Sequence, residues 1–147
     1  MLKVNAEDLV YLWKMGRRIA ERTNQGGGNT NVANVIAACF AASGQDIASV
    51  HESSFAQTSV EHSLTENGGV DVSIFLPSLI IGTVGGGTNL PTQAECLDIM
   101  GCRGTNKVKK FAEIIATYCL ALDLSTTAAM ANGDFAQAHE SSGPTIN

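Results

Sequence analysis

The residues best able to do chemistry lie in four places along the chain. Gly85-Gly86-Gly87, followed by Thr88, would expose backbone N–H groups and admit close approach, as a pyrophosphate or the edge of a nicotinamide ring requires. The run is not a G-x-G-x-x-G fingerprint, because Leu90 stands where the third glycine would be, and it lacks the Gly-Lys-Ser/Thr of a phosphate loop. Its spacing therefore fits a tight structural turn as well as it fits a ligand cradle. Asp46, in Ala42-Ser43-Gly44-Gln45-Asp46, is an acid late in an alanine-rich helical pattern, where an ionised carboxylate is costly unless donors surround it. On the pattern alone an exposed acid near a helix end is the plainer reading. Lys14 stands beside Trp13, where a lysine ordinarily lays its stem on apolar surface and keeps its ammonium in water. His139 follows the final helical stretch, and a histidine there is either inert or a mobile proton donor.

Several elements must position these groups. Leu9, Trp13, Ile19 and Ala20 recur at helical spacing over residues 6–22, with Glu7 and Asp8 in the first turn, so a first amphipathic helix is expected. The glycine-rich stretch over residues 24–29 ends it in a turn. A second helix is expected over residues 31–49, lined by Val32, Val35, Ile36, Cys39 and Phe40, its alanines letting neighbours approach closely. Between Phe55 and Leu79 the period changes to two: Val70, Val72, Ile74 and Leu76 alternate with Asp71, Ser73 and Phe75 after a Glu66-Asn67-Gly68-Gly69 turn. A two-stranded hairpin follows from that pattern. Extended chain then leads into the glycine run, and Pro91 opens a helix through Met100. A last helical stretch covers residues 106–131, with an interruption expected near Leu124-Ser125 and a stop at Asn132-Gly133. The fold class is α+β and helix-rich, with one domain over residues 1–140 and a frayed tail over 141–147.

Composition narrows the function. Of 147 residues 44% are hydrophobic, enough to bury a core, and only 16% are charged. The net charge of −5 argues against a phosphate-driven nucleic-acid reader. No apolar run is expected to reach the length needed to cross a bilayer, and the acidic start does not read as a secretory signal, so a soluble cytoplasmic location is expected. Cys39, Cys96, Cys102 and Cys119 form no C-x-x-C pair and lie in apolar surroundings, so reduced core thiols are expected rather than a zinc or disulfide framework. His51, His62 and His139 are too scattered to mark a metal site.

The run from Pro77 to Leu90, PSLIIGTVGGGTNL, closely resembles a signature of class I hydroxymethylglutaryl-coenzyme A (HMG-CoA) reductases. Asn34-Val35-Ile36 followed by Gly44-Gln45-Asp46 resembles another. The likeness extends from about Lys14 to His139 with order and separation kept. It implies part of the helix-rich large domain of such an enzyme, which reduces HMG-CoA to mevalonate and free CoA by two hydride transfers from NADPH. It implies that Asp46 is catalytic, within a proton-handling cluster that includes a lysine and a glutamate. Added to the residue's place in an alanine-rich helical pattern, that role leads to the expectation of a partly buried side chain facing a polar cavity. It places His139 where the family histidine protonates the departing CoA thiolate. By the same resemblance Lys14 and Asn34 contact the HMG group or the catalytic lysine, and Ser125 lies beside the substrate pocket. Gly85, Gly86, Gly87 and Thr88 would lie against the cofactor. A homodimer or higher oligomer is implied too, since family sites form between subunits; no metal is.

Departures from the family pattern are also visible. Asn31 stands where the family has a pocket histidine, and Phe135 and Glu140 replace the usual aliphatic residues near His139. The family's glutamate, its catalytic lysine and its Asp-Ala-Met-Gly-Met-Asn cofactor motif are absent from these 147 residues. The chain is therefore expected to be a fragment of the catalytic domain, inactive alone. The alternatives are a non-catalytic relic, or a CoA- or dinucleotide-binding module that needs a separate N-terminal partner chain.

Overall fold

A computed structural model describes residues 2–23, 28–65 and 68–135. Residues 24–27 of the turn expected at 24–29, the tail at 141–147 and His139 lie outside the described residues. The element order is α1 (Ala6–Arg22), α2 (Val32–Ser43), a 3₁₀ turn (Ile47–Ser49), α3 (Val50–Ser53), β1 (Gln57–His62), β2 (Val70–Phe75), a second 3₁₀ turn (Gly86–Asn89), α4 (Pro91–Ile99) and α5 (Val108–Ala131). The class is α+β, as the residue pattern predicts.

Local rules account for most boundaries. The Asn5 side chain accepts the Asp8 backbone N–H at 2.8 Å and opens α1, which buries Leu9, Val10, Trp13 and Ala20. Proline at the first position opens α4. The hairpin is antiparallel, with Val60 opposite Val72 and Ser59 opposite Ser73; its Thr58 and Val60 point into the core while Gln57 and Glu61 stay outside.

Three expectations need correction. The second helix stops at Ser43, six residues early, because Gly44 takes a left-handed conformation (φ 70°) and the Gln45 N–H turns back to the Phe40 carbonyl at 3.0 Å. The last helix runs unbroken through Leu124 and Ser125. That helix, α5, also has the length and apolar composition to cross a membrane, contrary to the expectation that no such run exists; here it is instead a spine packed against α1, α2 and β2.

The core is built along that spine in two clusters. Val32, Ile36 and Phe40 of α2 meet Leu97 of α4 and Phe111, Ile115 and Cys119 of α5 in the larger one. Leu9, Val10 and Trp13 of α1 meet Val60 and Ala128 in the other. Asp123 lies between them on α5 and is wholly buried. Among the described residues all four cysteines are free thiols: Cys102 and Cys119 are buried, Cys39 and Cys96 half-buried.

Candidate active site

Two of the sequence-predicted segments are locked together. The chain enters the glycine loop at Gly85 (φ 80°, ψ −179°), turns left-handed again at Gly86 (φ 54°), and closes a 3₁₀ turn before α4. Thr88 is buried, and its hydroxyl donates to the Gly85 carbonyl at 2.6 Å, so it holds the loop shut from within. Gly87 lies directly against Gly44: a β-carbon on Gly87 would stand 2.6 Å from the Gly44 carbonyl oxygen. Only two glycines allow that backbone approach. Next to it the Gln45 side chain accepts the Gly82 N–H at 2.7 Å and donates to the Ser43 carbonyl at 3.1 Å. The turn carrying Asp46 and the glycine loop therefore form one rigid unit.

Asp46 itself is exposed, not buried against a polar cavity. With α2 ended at Gly44, Asp46 falls at the N-cap of the Ile47–Ser49 turn, where its carboxylate accepts the Ala48 N–H at 3.0 Å. A backbone donor, rather than a cavity, meets its hydrogen-bonding demand. The open sides of Gly85 and Gly86 show no atom within 4 Å of where a β-carbon would stand.

A second pair lines one apolar groove of about 740 Å³ between α2, α4 and α5. Asn34 and Ser125 are among its polar lining residues, and Cys39, Cys96, Tyr118 and Leu122 supply much of the rest. Lys14 stands exposed on α1 and is not among the groove's lining residues.

Asp123, which sequence reasoning passed over, is the most unusual group near this pair. One carboxylate oxygen accepts the Asn31 backbone N–H at 2.7 Å, and the other, Oδ2, has no hydrogen-bond partner among the described residues. Burial raises its pKa above the usual carboxylate range, opposed by the Asn31 and Thr30 backbone N–H groups. One turn earlier, burial and then the neighbouring Cys39 and Asp123 push the Cys119 thiol up to about 12. The signal was an acid inside the apolar run CLALDLSTTAA, the same cue that drew attention to Asp46.

A family model described as hydroxymethylglutaryl-coenzyme A reductase matches residues 1–143. The chain belongs to the HMG-CoA reductase family. It is 46% identical over 121 residues to the 3-hydroxy-3-methylglutaryl-coenzyme A reductase of Methanocaldococcus jannaschii, covering 82% of this chain and 29% of that protein. Against the Aeropyrum pernix enzyme identity is 48% over 119 residues, 76% of this chain and 27% of the other. The Drosophila melanogaster reductase is 36% identical over 147 residues, 95% of this chain but 16% of its own length. The chain thus spans less than a third of the reductases it matches.

Proposed function

We propose that this chain contributes to the reduction of HMG-CoA to mevalonate and free CoA, with NADPH as reductant. The observation that carries the proposal is the Gly44–Gly87 contact, which joins the Asp46 turn to the glycine loop within a chain of the reductase family. The open faces of Gly85 and Gly86 fit a flat cofactor ring, and these two residues, with Gly87 and Thr88 shaping the loop behind them, would hold it. When bound, the nicotinamide supplies hydride to the thioester carbonyl.

The chain's own residues then have distinct tasks. Asn34 and Ser125 orient the HMG group at the polar edge of the groove, and Lys14 belongs with them by family position only. Asp46, fixed by its cap and by the Gln45 latch, shares in proton transfer at the carbonyl being reduced. His139 protonates the departing thiolate. Negative charge developing on the carbonyl oxygen needs a cation or donors worth about 3–4 kcal/mol each. Lys3, Lys14, Lys107, Lys109 and Lys110 are all exposed and none lines the groove, so that charge stabilisation comes from the region of the reductases that this chain does not span. The same region covers the groove, and the working assembly is a homodimer or larger.

The test is to assay HMG-CoA-dependent NADPH oxidation by the chain alone and after co-production with that remaining region of a related reductase. Turnover only in the second case, abolished by Asp46→Asn, is expected. Turnover by the chain alone overturns the assignment of charge stabilisation to the remaining region, and an assembled protein that binds both ligands and reduces nothing overturns the proposal.

A further inference from the structure

Helix α2 begins without a side-chain cap of its own: Asn31 occupies the N-cap position, yet its side chain makes no capping bond. One backbone donor there is met from another helix. Asp123 of α5 takes the Asn31 backbone N–H at 2.7 Å. Freed from capping, the Asn31 side chain is used twice more. Its Nδ2 donates to the Thr126 hydroxyl at 2.7 Å, and its Oδ1 accepts from the Asn34 Nδ2 at 3.4 Å. One continuous set of bonds thus runs from α5 through the start of α2 to the side chain of Asn34.

We infer that Asp123 and Asn31 are a positioning pair that fixes the Asn34 side chain on the wall of the groove it shares with Ser125, and so sets the polar grip on the acyl portion of the substrate. The role of Asn34 and Ser125 in that grip rests on the function proposed above. An ordinary N-cap side chain bonds to N–H groups within its own helix and ties that helix to nothing else, at no cost of a buried charge. Asp123 instead buries a whole carboxylate, with Oδ2 left over, to reach the helix start from the neighbouring helix. What that arrangement adds over an ordinary cap is a fixed relation between α2 and α5, the two helices that carry Asn34 and Ser125. Asn31 then transmits it, because its planar amide cannot satisfy Thr126 and Asn34 together in another rotamer without losing one of them.

The side-chain amide resonances of Asn34 in the ¹⁵N-labelled chain read this directly. Asp123→Ala and Asn31→Ala are each expected to move them toward the values of a free asparagine, with Asp123→Ala also speeding Asn31 amide exchange by about tenfold or more. Asp123→Asn, which keeps an acceptor oxygen, is expected to preserve both. Gly82 and Thr88 amides, in the glycine-loop unit, serve as controls that stay in place. Should Asp123→Ala fail to fold, Asn31→Ala decides, because it leaves the carboxylate and its backbone bond intact. Unmoved Asn34 resonances in folded Asn31→Ala overturn the inference. In the assembled protein, Asn31→Ala is expected to raise KM for HMG-CoA about tenfold while kcat falls less than about twofold; a loss confined to kcat would count against it. If the unaltered assembly reduces no HMG-CoA, the functional proposal falls, and the Asn34 resonances alone still decide the positioning claim.

Discussion

A carboxylate within helical sequence costs least where backbone N–H groups meet it, and Asp46 and Asp123 satisfy that condition in different surroundings. Asp46 does so in water, at the head of a short 3₁₀ turn. Asparagine caps nearly as well, so Asp46→Asn is expected to change the chain's urea midpoint little while abolishing reduction in the assembled protein; a large stability loss would mean that the carboxylate does structural work not seen in its contacts. Asp123 does so in the core, where desolvation outweighs its two backbone donors and holds the folded pKa above the unfolded one. A raised acid contributes stability that is full below the unfolded value near pH 4 and is lost as pH rises through the folded value. Cys39 and Cys119, the titratable neighbours, are thiols with raised pKa values and stay neutral across that window. Asp123→Asn removes this titration, so its effect on the melting temperature is expected to be more favourable at pH 7 than at pH 4. Thermal unfolding at the two pH values checks the sign, and the reverse order would show that the buried carboxylate is stabilised rather than strained by its site. Asp123→Leu, which leaves backbone N–H groups unmet, should cost about 1–3 kcal/mol at either pH.

At the scale of elements, the parts that local chemistry defines were legible: α1 from its period and Asn5, the hairpin from its alternation, α4 from Pro91, and the glycine loop as a left-handed turn between extended chain and a helix. The parts that tertiary contact defines were not. Gly44 is a local stop signal that the alanine-rich run around it obscured, and what the sequence does not show is that Gly44 also packs on Gly87, more than forty positions away. Leu124-Ser125 looked like a break because serine and threonine weaken helices. In α5 the neighbouring Thr127 hydroxyl bonds back to the Asp123 carbonyl at 2.8 Å, and one oxygen of the Asp123 carboxylate takes the Asn31 N–H at the start of α2, so the polar residues stay within the helix. The glycine loop permits a sharp contrast. Gly86→Ala meets open space and pays only for its left-handed backbone, about 1 kcal/mol. Gly87→Ala meets the Gly44 backbone, which has no flexible end to give, and is expected to cost several times as much and to release the Gly82 amide to exchange. Equal urea midpoints for the two variants would contradict the packing of the Asp46 turn on the loop.

For the whole molecule, the decisive feature is an apolar groove left open among the described residues, in a chain that spans 29% of the Methanocaldococcus jannaschii reductase. Tyr118, Leu122 and Ile99 are exposed along it, Ile99 at 86%. Apolar surface of this extent is costly in water and is ordinarily covered by a partner. The half-buried thiols of Cys39 and Cys96 line the same groove and report on its cover. The chain alone is therefore expected to self-associate with rising concentration, and a small maleimide should label Cys96 readily; Cys39, whose thiol burial makes harder to ionise, should react more slowly. Co-production with the remaining region of the reductase should slow both reactions and suppress the self-association together, because one surface governs them. Buried Cys102 and Cys119 should stay unreactive throughout and serve as internal controls. If the assembled protein labels at Cys39 and Cys96 as fast as the chain alone, the groove is not the surface through which the rest of the catalytic domain joins it.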